Sequence, residues 1–382
     1  TATGTITGNV LDAAAGTGVA ATVTNGTQTT TSSAADGSFT LSNVAVGADG
    51  KVKLTVTNAS YLTGYAFEPV TAGNTTKTSI YLVNKTGAET DTPADLTAAG
   101  ETLNFASNVA IDLPEDSVVD ASGNLVAAPE VAIVFSAPPT TAASLTAFPG
   151  VFAGVPTGAT TEVPFETFGF INVDLGAGYQ LAEGKAATLT MPIAASLVAA
   201  APATIPLWSF NVTNGKWEQA GIATNTLIGG SRFYVAYPVT HFSWYNLDAP
   251  VNVSTLQVVV SSYTSTLNEW EIMEGATEDP SRTDLTKRIA GAKVVVTTTD
   301  DSAATDDQWG VTANEGTDNF TRQEAKLTNS NGIASFNIPT GRKFSIKVTT
   351  STGSKSGYMY EVENGVANAY INMGSFASHH GF

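Results

Sequence analysis

Apolar and polar residues alternate with a period of two along much of this chain. Such alternation is typical of strands that bury one face and expose the other. It is clearest in Leu54/Val56, Ile80/Leu82, Leu189/Met191, Phe233/Val235/Tyr237/Val239, Val294/Val296 and Phe344/Ile346/Val348. Asn-Gly and Asp-Gly pairs, which accept the positive φ of hairpin turns, occur at 25–26, 36–37, 214–215, 331–332 and 364–365. The pattern predicts an all-β protein built mainly of antiparallel strands, with short helical turns at most in 192–201 and 280–288.

Two segments share one order of strands and turns. The first has strand-like residues at 8–12, 18–23, 35–41 and 53–56, and the second at 291–296, 331–336 and 345–348. Both predict a strand, a variable loop, an Asx-Gly hairpin and two further strands. In the second segment we expect a long loop, about residues 297–327, that carries many acidic residues.

The chain is long enough for several domains, since it has 382 residues and a domain takes about 100–200. We predict tandem antiparallel β-sandwich domains of the transthyretin or Ig type. The breaks are a linker-like stretch, rich in Thr, Ala, Gly and Pro, at 86–100 and the pair Ala249-Pro250. The predicted domains are 1–85, a larger β-rich sandwich at 97–249, and a second sandwich with the acidic insert at 251–382.

The first segment resembles the carboxypeptidase regulatory-like domain over about residues 4–85. The resemblance depends on residues 8–12, 18–23 and the sequence Asp36-Gly37-Ser38-Phe39. It implies a seven-stranded transthyretin-like sandwich that usually serves as a spacer without catalytic activity.

The middle segment resembles the β-rich region of cartilage intermediate layer proteins and of many prokaryotic surface proteins. The residues that carry this resemblance are 114–120 with Gly123, 148–150, 206–210, 216–217 and 240–248. It implies a role in an extracellular matrix or at a cell surface, without a known reaction.

Composition narrows the partners of this protein. Charged residues make up 13% of the chain, about half the usual share, and the formal net charge is −17. A surface of this sign repels nucleic acid and attracts divalent cations. The chain has no cysteine, opens directly into a strand pattern and has no apolar run of the roughly 18 residues that span a membrane. We expect a mature, secreted chain at the cell surface or outside the cell.

The tripeptide His241-Phe242-Ser243 is the sharpest local motif. It resembles the cleavage site of autoproteolytic domains, in which a strained turn, a histidine base and a serine hydroxyl cleave the preceding peptide bond. The alternative is structural, with His241 bonded to backbone at a strand end and Trp244 closing a sandwich.

Two further groups are candidate binding residues. Four closely spaced carboxylates in the insert suit a calcium ion, although a solvated acidic loop is the other interpretation: Asp300, Asp301, Asp306 and Asp307. No other cofactor is expected. Among the tryptophans that could stack on sugars, Trp208 and Trp217 are weaker candidates than Trp270 and Trp309, which lie in polar sequence.

These observations favour a structural protein without enzymatic activity, because Walker, GxSxG and HExxH motifs are all missing. We expect it to self-associate into a filament or surface layer through edge strands. Residues 3–11 or 366–376 are the candidate exchanged strands. An adhesin or glycan-binding protein, with or without calcium, is the alternative.

Overall fold

The alternating segments form strands, and the predicted all-β class with tandem sandwiches is confirmed. A computed structural model describes residues 2–47, 50–138, 144–176, 178–199, 201–251, 253–262, 270–274, 284–299, 320–341, 343–359 and 365–374. Helical structure in these residues is limited to short 3₁₀ turns at Lys85–Gly87, Ser144–Ala147, Ala195–Leu197 and Leu285–Lys287. The last two lie in the segments where the sequence predicts short helical turns.

The first sandwich packs one three-stranded and one four-stranded sheet around an apolar core. Its sheets have the orders β4-β1-β7 and β3-β2-β5-β6. Ile6 and Val10 of the first sheet face Val23, Leu54 and Val56 of the second in this core, and all five are fully buried. The strands are β1 Thr3–Asp12, β2 Thr22–Thr24, β3 Thr29–Thr31, β4 Ser38–Ala45, β5 Lys51–Thr57, β6 Gly64–Pro69 and β7 Thr75–Leu82.

The middle segment forms one large sheet of eleven strands and a small two-stranded sheet. The large sheet has the order β8-β12-β14-β20-β17-β18-β19-β16-β10-β9, with β13 beside β14 and β18, and β11 pairs with β15. The strands are β8 Glu89–Asp91, β9 Glu101–Asn104, β10 Ala110–Leu113, β11 Val118–Val119, β12 Val131–Ser136, β13 Ala153–Val155, β14 Val163–Asp174, β15 Gln180–Leu181, β16 Ala187–Pro192, β17 Thr204–Asn211, β18 Lys216–Ile228, β19 Ser231–Val239 and β20 Trp244–Pro250.

Two carboxylates of the edge strand β8 accept hydrogen bonds from backbone N–H groups at and just beyond the end of β9, the opposite edge strand of this large sheet. Asp91 of β8 accepts a hydrogen bond from the Asn104 backbone N–H at the end of β9, at 3.0 Å. Glu89 accepts one from the Ser107 N–H at 2.8 Å. The sheet therefore curves until its edges meet, and acidic side chains satisfy backbone donors that an open edge would expose.

The third sandwich repeats the first with one additional strand. Its sheets have the orders β22-β28-β21-β25 and β24-β23-β26-β27, so β21, β23 and the later strands correspond to β1 to β7 in sequence, and β22 is the addition. In both sandwiches the first and last strands are parallel neighbours within otherwise antiparallel sheets, because the chain crosses the second sheet between them. The strands are β21 Val253–Ser261, β22 Trp270–Glu274, β23 Lys293–Thr299, β24 Phe320–Leu327, β25 Ile333–Pro339, β26 Phe344–Thr350, β27 Gly353–Met359 and β28 Val366–Asn372.

A buried hydroxyl occupies the same place in both sandwiches, just after the third equivalent strand. Ser32 accepts a hydrogen bond from the Ala21 N–H at 2.8 Å and donates to the Val19 carbonyl at 2.6 Å. Thr328 accepts one from the Ala292 N–H at 2.9 Å and donates to the Ile289 carbonyl at 2.6 Å. Each hydroxyl satisfies backbone groups at the corner where the chain changes sheets.

A glycine with positive φ follows each hydroxyl and touches the first strand. Gly37 has φ 73° and Gly332 has φ 71°. Their carbonyl oxygens accept hydrogen bonds from the Val10 and Val260 N–H groups, both at 2.8 Å. A Cβ at Gly37 would lie 1.9 Å from the Val10 carbonyl oxygen, so no other residue fits without displacing β1.

The chain divides into two compact units: Thr1–Val83 with Thr140–Phe152 and Val251–Phe382, and Asn84–Pro139 with Ala153–Pro250. Within the first unit, Lys293 of the third sandwich lies 3.8 Å from Glu68 and donates a hydrogen bond to Thr78 of the first at 3.2 Å. Buried apolar residues form three clusters, within 6–82, 96–247 and 256–371. The three-domain division remains a prediction.

Three expectations about segments need correction. Residues 3–11 and 366–376 were the candidate exchanged strands, but β1 and β28 are interior strands with neighbours on both sides. The predicted loop at 297–327 contains β24, an edge strand whose charged residues hide its strand character. The predicted linker at 86–100 contains β8, which pairs with β12, and the fully buried Leu96.

We expect Gly37→Ala to destabilise the first sandwich far more than Gly26→Ala. Both positions have positive φ, but a Cβ at Gly26 meets nothing within 4 Å. The unfavourable φ costs about 1–2 kcal/mol in each, and the collision with β1 should bring Gly37→Ala to roughly 3–5 kcal/mol. Urea unfolding followed by circular dichroism measures both. Equal losses in the two variants would contradict the close contact.

Candidate functional site

The His241-Phe242-Ser243 tripeptide lies in the turn that joins β19 to β20. This turn is at the end of the large sheet, where β20 runs beside β14. The Ser243 carbonyl accepts a hydrogen bond from the Val173 N–H at 3.0 Å, which fixes the turn to the end of β14. His241 is exposed, whereas Phe242 and Ser243 are half-buried.

The imidazole of His241 is positioned by Tyr245. The Tyr245 hydroxyl donates a hydrogen bond to the His241 carbonyl, and its oxygen lies 3.4 Å from His241 Nδ1. Because the phenol proton is used on the carbonyl, a hydrogen bond at Nδ1 requires the imidazole to donate from that atom, which leaves Nε2 as the acceptor. Desolvation lowers the pKa of His241 and raises the pKa of Tyr245, so both groups are neutral at pH 7.

The Ser243 hydroxyl is not held by this base. It donates to the Trp244 carbonyl at 3.3 Å, and none of the hydrogen bonds among the described residues joins it to His241. Positive φ in described residues other than glycine occurs only at Asn43, Asn108 and Asp116, so the 242–243 peptide lacks this form of backbone strain. Autoproteolysis stays a hypothesis that depends on the tripeptide alone, because the geometry supplies neither a positioned base nor left-handed backbone.

Behind the turn, three strands share a buried polar network. Thr167 of β14 donates to the Asn246 side-chain oxygen at 2.9 Å, and the Asn246 amide donates to the Asp248 carboxylate. Trp208 of β17 donates from Nε1 to the Asp248 carbonyl at 3.1 Å. Asn246 and Asp248 are fully buried. Their spacing of two on a strand was a usable signal, because it turns both side chains to one face.

The turn also forms one wall of a cleft of about 450 Å³. The other walls are the end of β14 and the segment around β15. The lining residues are Val173, Asp174, Leu175, Tyr179, Gln180, Leu181, Glu183, Thr240, His241 and Phe242. Sequence analysis singled out only His241 and Phe242 as candidate site residues, because all the others except Thr240 come from a segment about 60 positions earlier in the chain.

The other predicted binding residues are not assembled into a site that can be described. Asp300, Asp301, Asp306, Asp307 and Trp309 lie outside the described residues. Trp270 begins β22, where its backbone pairs with Ile371, and its side chain is also outside the description. Trp208 and Trp217 are fully buried and cannot stack on a ligand.

The described residues contain neither a cluster of metal-ligating side chains nor a membrane-spanning helix. Within the ranges given above, no group of three or more histidine, aspartate or glutamate side chains is arranged to bind a metal ion. In the same ranges, no helix has the length and apolar character needed to cross a membrane.

Comparison with known proteins does not assign this chain to a family. It matches no protein family and no curated protein, so the resemblance to the carboxypeptidase regulatory-like domain is not confirmed. Solved structures with some similarity include the Bacillus anthracis TIE protein, at 12% identity and a TM-score of 0.19 over 98% of this chain. The chain spans only 50% of the length of that structure.

Two major pilins are also similar at this level. The pilin SpaD from Corynebacterium diphtheriae shows 8% identity and a TM-score of 0.17, with 97% of this chain and 96% of the pilin covered. BcpA, the major pilin subunit of Bacillus cereus, shows 8% identity and a TM-score of 0.16, with 98% and 99% covered. These values are too low for conclusions about the fold or function of this chain.

We expect His241 to titrate below its ordinary pKa of about 6.5. Desolvation by neighbouring groups disfavours the imidazolium form, although the residue as a whole keeps an exposed surface, so the neutral form is favoured in the folded protein. The contribution to stability is complete above the unfolded pKa and is lost as pH falls through the lower, folded pKa. An NMR titration of the ring protons measures it, with His241→Gln identifying this residue among the three histidines. A midpoint above 6.5 would contradict the desolvation.

We also expect the chain to remain intact at neutral pH, because His241 is not bonded to the Ser243 hydroxyl. Intact-mass spectrometry over several weeks tests this, with Ser243→Ala as the control that cannot be cleaved by this route. Two fragments separated between residues 242 and 243 in the wild type alone would establish autoproteolysis instead.

Proposed function

We propose that this chain is an extracellular structural protein, a subunit of a surface assembly whose sandwich modules associate through an edge strand. The observation that carries the proposal is the chemistry of β4. This strand is an edge of its sheet, is eight residues long and contains no charged residue or proline.

Almost all other edges of the described sheets are blunted. β3 has three residues, and β6 carries Glu68 and Pro69. β7, β22, β24 and β27 each contain at least one charged residue, as do β8 and β9. Short strands, charges and prolines are the usual means by which proteins prevent pairing at sheet edges, so an uncharged edge of eight residues is an exception that needs a reason.

The equivalent edge of the third sandwich is β25. This strand also contains no charged residue, but a lysine from the neighbouring sheet bonds to it. Lys326 donates from Nζ to the Ser335 carbonyl of β25 at 2.7 Å, which places a positive charge on this edge. On β4, the neutral Gln28 donates to the Ser42 carbonyl at 2.8 Å, and Asn43 has a positive φ of 57°. Ser38 is already bonded, since its N–H donates to the Asp36 carboxylate and its carbonyl accepts from the Ser33 N–H, both at 2.9 Å. The segment 39–41 of β4 is thus the best template for a strand from another copy.

The remaining parts of the proposal rest on composition and on missing motifs. Low charge density, absence of cysteine and a net charge of −17 are what we expect of a Thr- and Asn-rich protein outside the cell. An adhesin that uses calcium at residues 300–307 or sugars at Trp270 and Trp309 remains the alternative, and none of these side chains is among those that the structure describes.

We expect Thr40→Lys to weaken self-association. Thr40 is exposed on β4, and a lysine there introduces the charge that the other edges already carry. Thr71→Lys, in an exposed turn, adds the same charge elsewhere and is the matched control. Sedimentation velocity over a range of protein concentrations, with electron microscopy, measures the assemblies.

The wild type and Thr71→Lys should form larger species or filaments as concentration rises, and Thr40→Lys should shift this onset to at least tenfold higher concentration. A wild type that stays monomeric throughout, or a Thr40→Lys variant that assembles normally, would contradict association through β4.

A further inference from the structure

The cleft beside His241 has the size and position of a binding site. Its volume of about 450 Å³ lies within the range of about 300–1,000 Å³ that small-molecule sites occupy. The end of β14, the segment around β15 and the turn after β19 meet around it. All three belong to the same compact unit, so the cleft is a property of one module.

Several polar side chains in this cleft have no protein partner. Among the described residues, the side chains of Tyr179, Gln180 and Glu183 make no hydrogen bond or ion pair. Asp174, by contrast, accepts a hydrogen bond from the Gly176 N–H at 2.9 Å and is used within the chain. The three side chains therefore offer a hydroxyl, an amide and a carboxylate to a ligand.

The Tyr179 ring has a defined position in the cleft. It packs over Gly176, where even a Cβ would lie 3.3 Å from the ring atom Cδ2. The residue is still 40% exposed. Phe242 contributes a second aromatic side chain to the lining, so apolar ring surface accompanies the polar groups.

The chemistry of the lining excludes two ligand classes. Anions are disfavoured, because Asp174 and Glu183 are acidic and no lysine or arginine lines the cleft. A tightly held metal ion is disfavoured too, since the described residues contain no metal-binding group of carboxylates and histidines. The mixture of donors, acceptors and ring surface suits a neutral ligand with hydroxyls that both donate and accept, and with an apolar face for an aromatic ring.

We propose that this cleft binds a neutral saccharide unit, with Tyr179 against the sugar ring and with Gln180, Glu183 and His241 Nε2 bonded to its hydroxyls. Carboxylates and Nε2 accept hydrogen bonds, whereas the amide of Gln180 donates. The site uses none of the tryptophans considered in the sequence analysis and does not depend on assembly through β4. A subunit that fails to polymerise should still bind.

Saturation-transfer difference NMR on the full chain tests the site, with glucose, galactose, mannose, N-acetylglucosamine, maltose and cellobiose as probes. At least one probe should give a saturable signal, and competition between mono- and disaccharides shows which size the cleft accepts. Tyr179→Ala should weaken binding by at least tenfold, which corresponds to about 1.4 kcal/mol. Glu183→Gln should weaken it as well, because the amide replaces an acceptor of charge-assisted hydrogen bonds.

The matched control is Tyr237→Ala. Tyr237 is 65% exposed on β19 and does not line the cleft, so its loss should leave binding unchanged. Circular dichroism shows whether each variant is folded. If Tyr179→Ala does not fold, Glu183→Gln, which changes an exposed residue, provides the test. No saturable signal from any probe with the wild type would overturn the proposal. Two other results would overturn it as well. One is wild-type binding by both Glu183→Gln and Tyr179→Ala. The other is wild-type binding by Glu183→Gln while Tyr237→Ala loses as much affinity as Tyr179→Ala.

Discussion

The fold of both outer sandwiches depends on satisfying backbone groups where the chain leaves one sheet and enters the other. A corner of this kind places N–H and C=O groups beside the core, where water cannot reach them. Ser32 and Thr328 solve the problem with one side chain each, by accepting from one backbone N–H and donating to one carbonyl. A buried backbone pair left without them would cost about 1–3 kcal/mol per group.

The glycine that follows completes the same corner. Gly37 and Gly332 bring the returning chain against the first strand so closely that the glycine carbonyl bonds directly to Val10 or Val260. Hydroxyl and glycine together fix the crossover, and the core positions between them need only be apolar and of suitable size. This explains how two segments with little sequence in common have the same strand order. The additional strand β22 falls outside the corner and leaves it intact.

Sequence analysis predicted what is local and could not predict what depends on distant residues. Alternation at Leu54/Val56 or Phe344/Ile346/Val348 identified strands because one face of each is buried. The edge strand β24 was missed, since Arg322 and Lys326 interrupt its alternation, and β8 was missed because three residues carry too little pattern. Of the residues that line the cleft, sequence analysis singled out only His241 and Phe242. Tyr179 and Glu183 come close to them because of how β14, β15 and β20 are arranged, which the sequence does not reveal.

Low charge density has a consequence for where ligands can bind. With few ion pairs available, the polar surface is organised by hydrogen bonds from Asp, Asn, Ser and Thr to nearby backbone, as at Asp120, which accepts from the N–H groups of Ser122 and Asn124. The Asn124 side chain also donates to this carboxylate, and together these bonds, the one from the Asn124 side chain first, lower the pKa of Asp120 and occupy its oxygen atoms. A side chain used in this way is not available to a partner. Groups that remain unused, such as Gln180 and Glu183, therefore indicate binding more strongly here than they would on a highly charged surface, where unpaired ions are common.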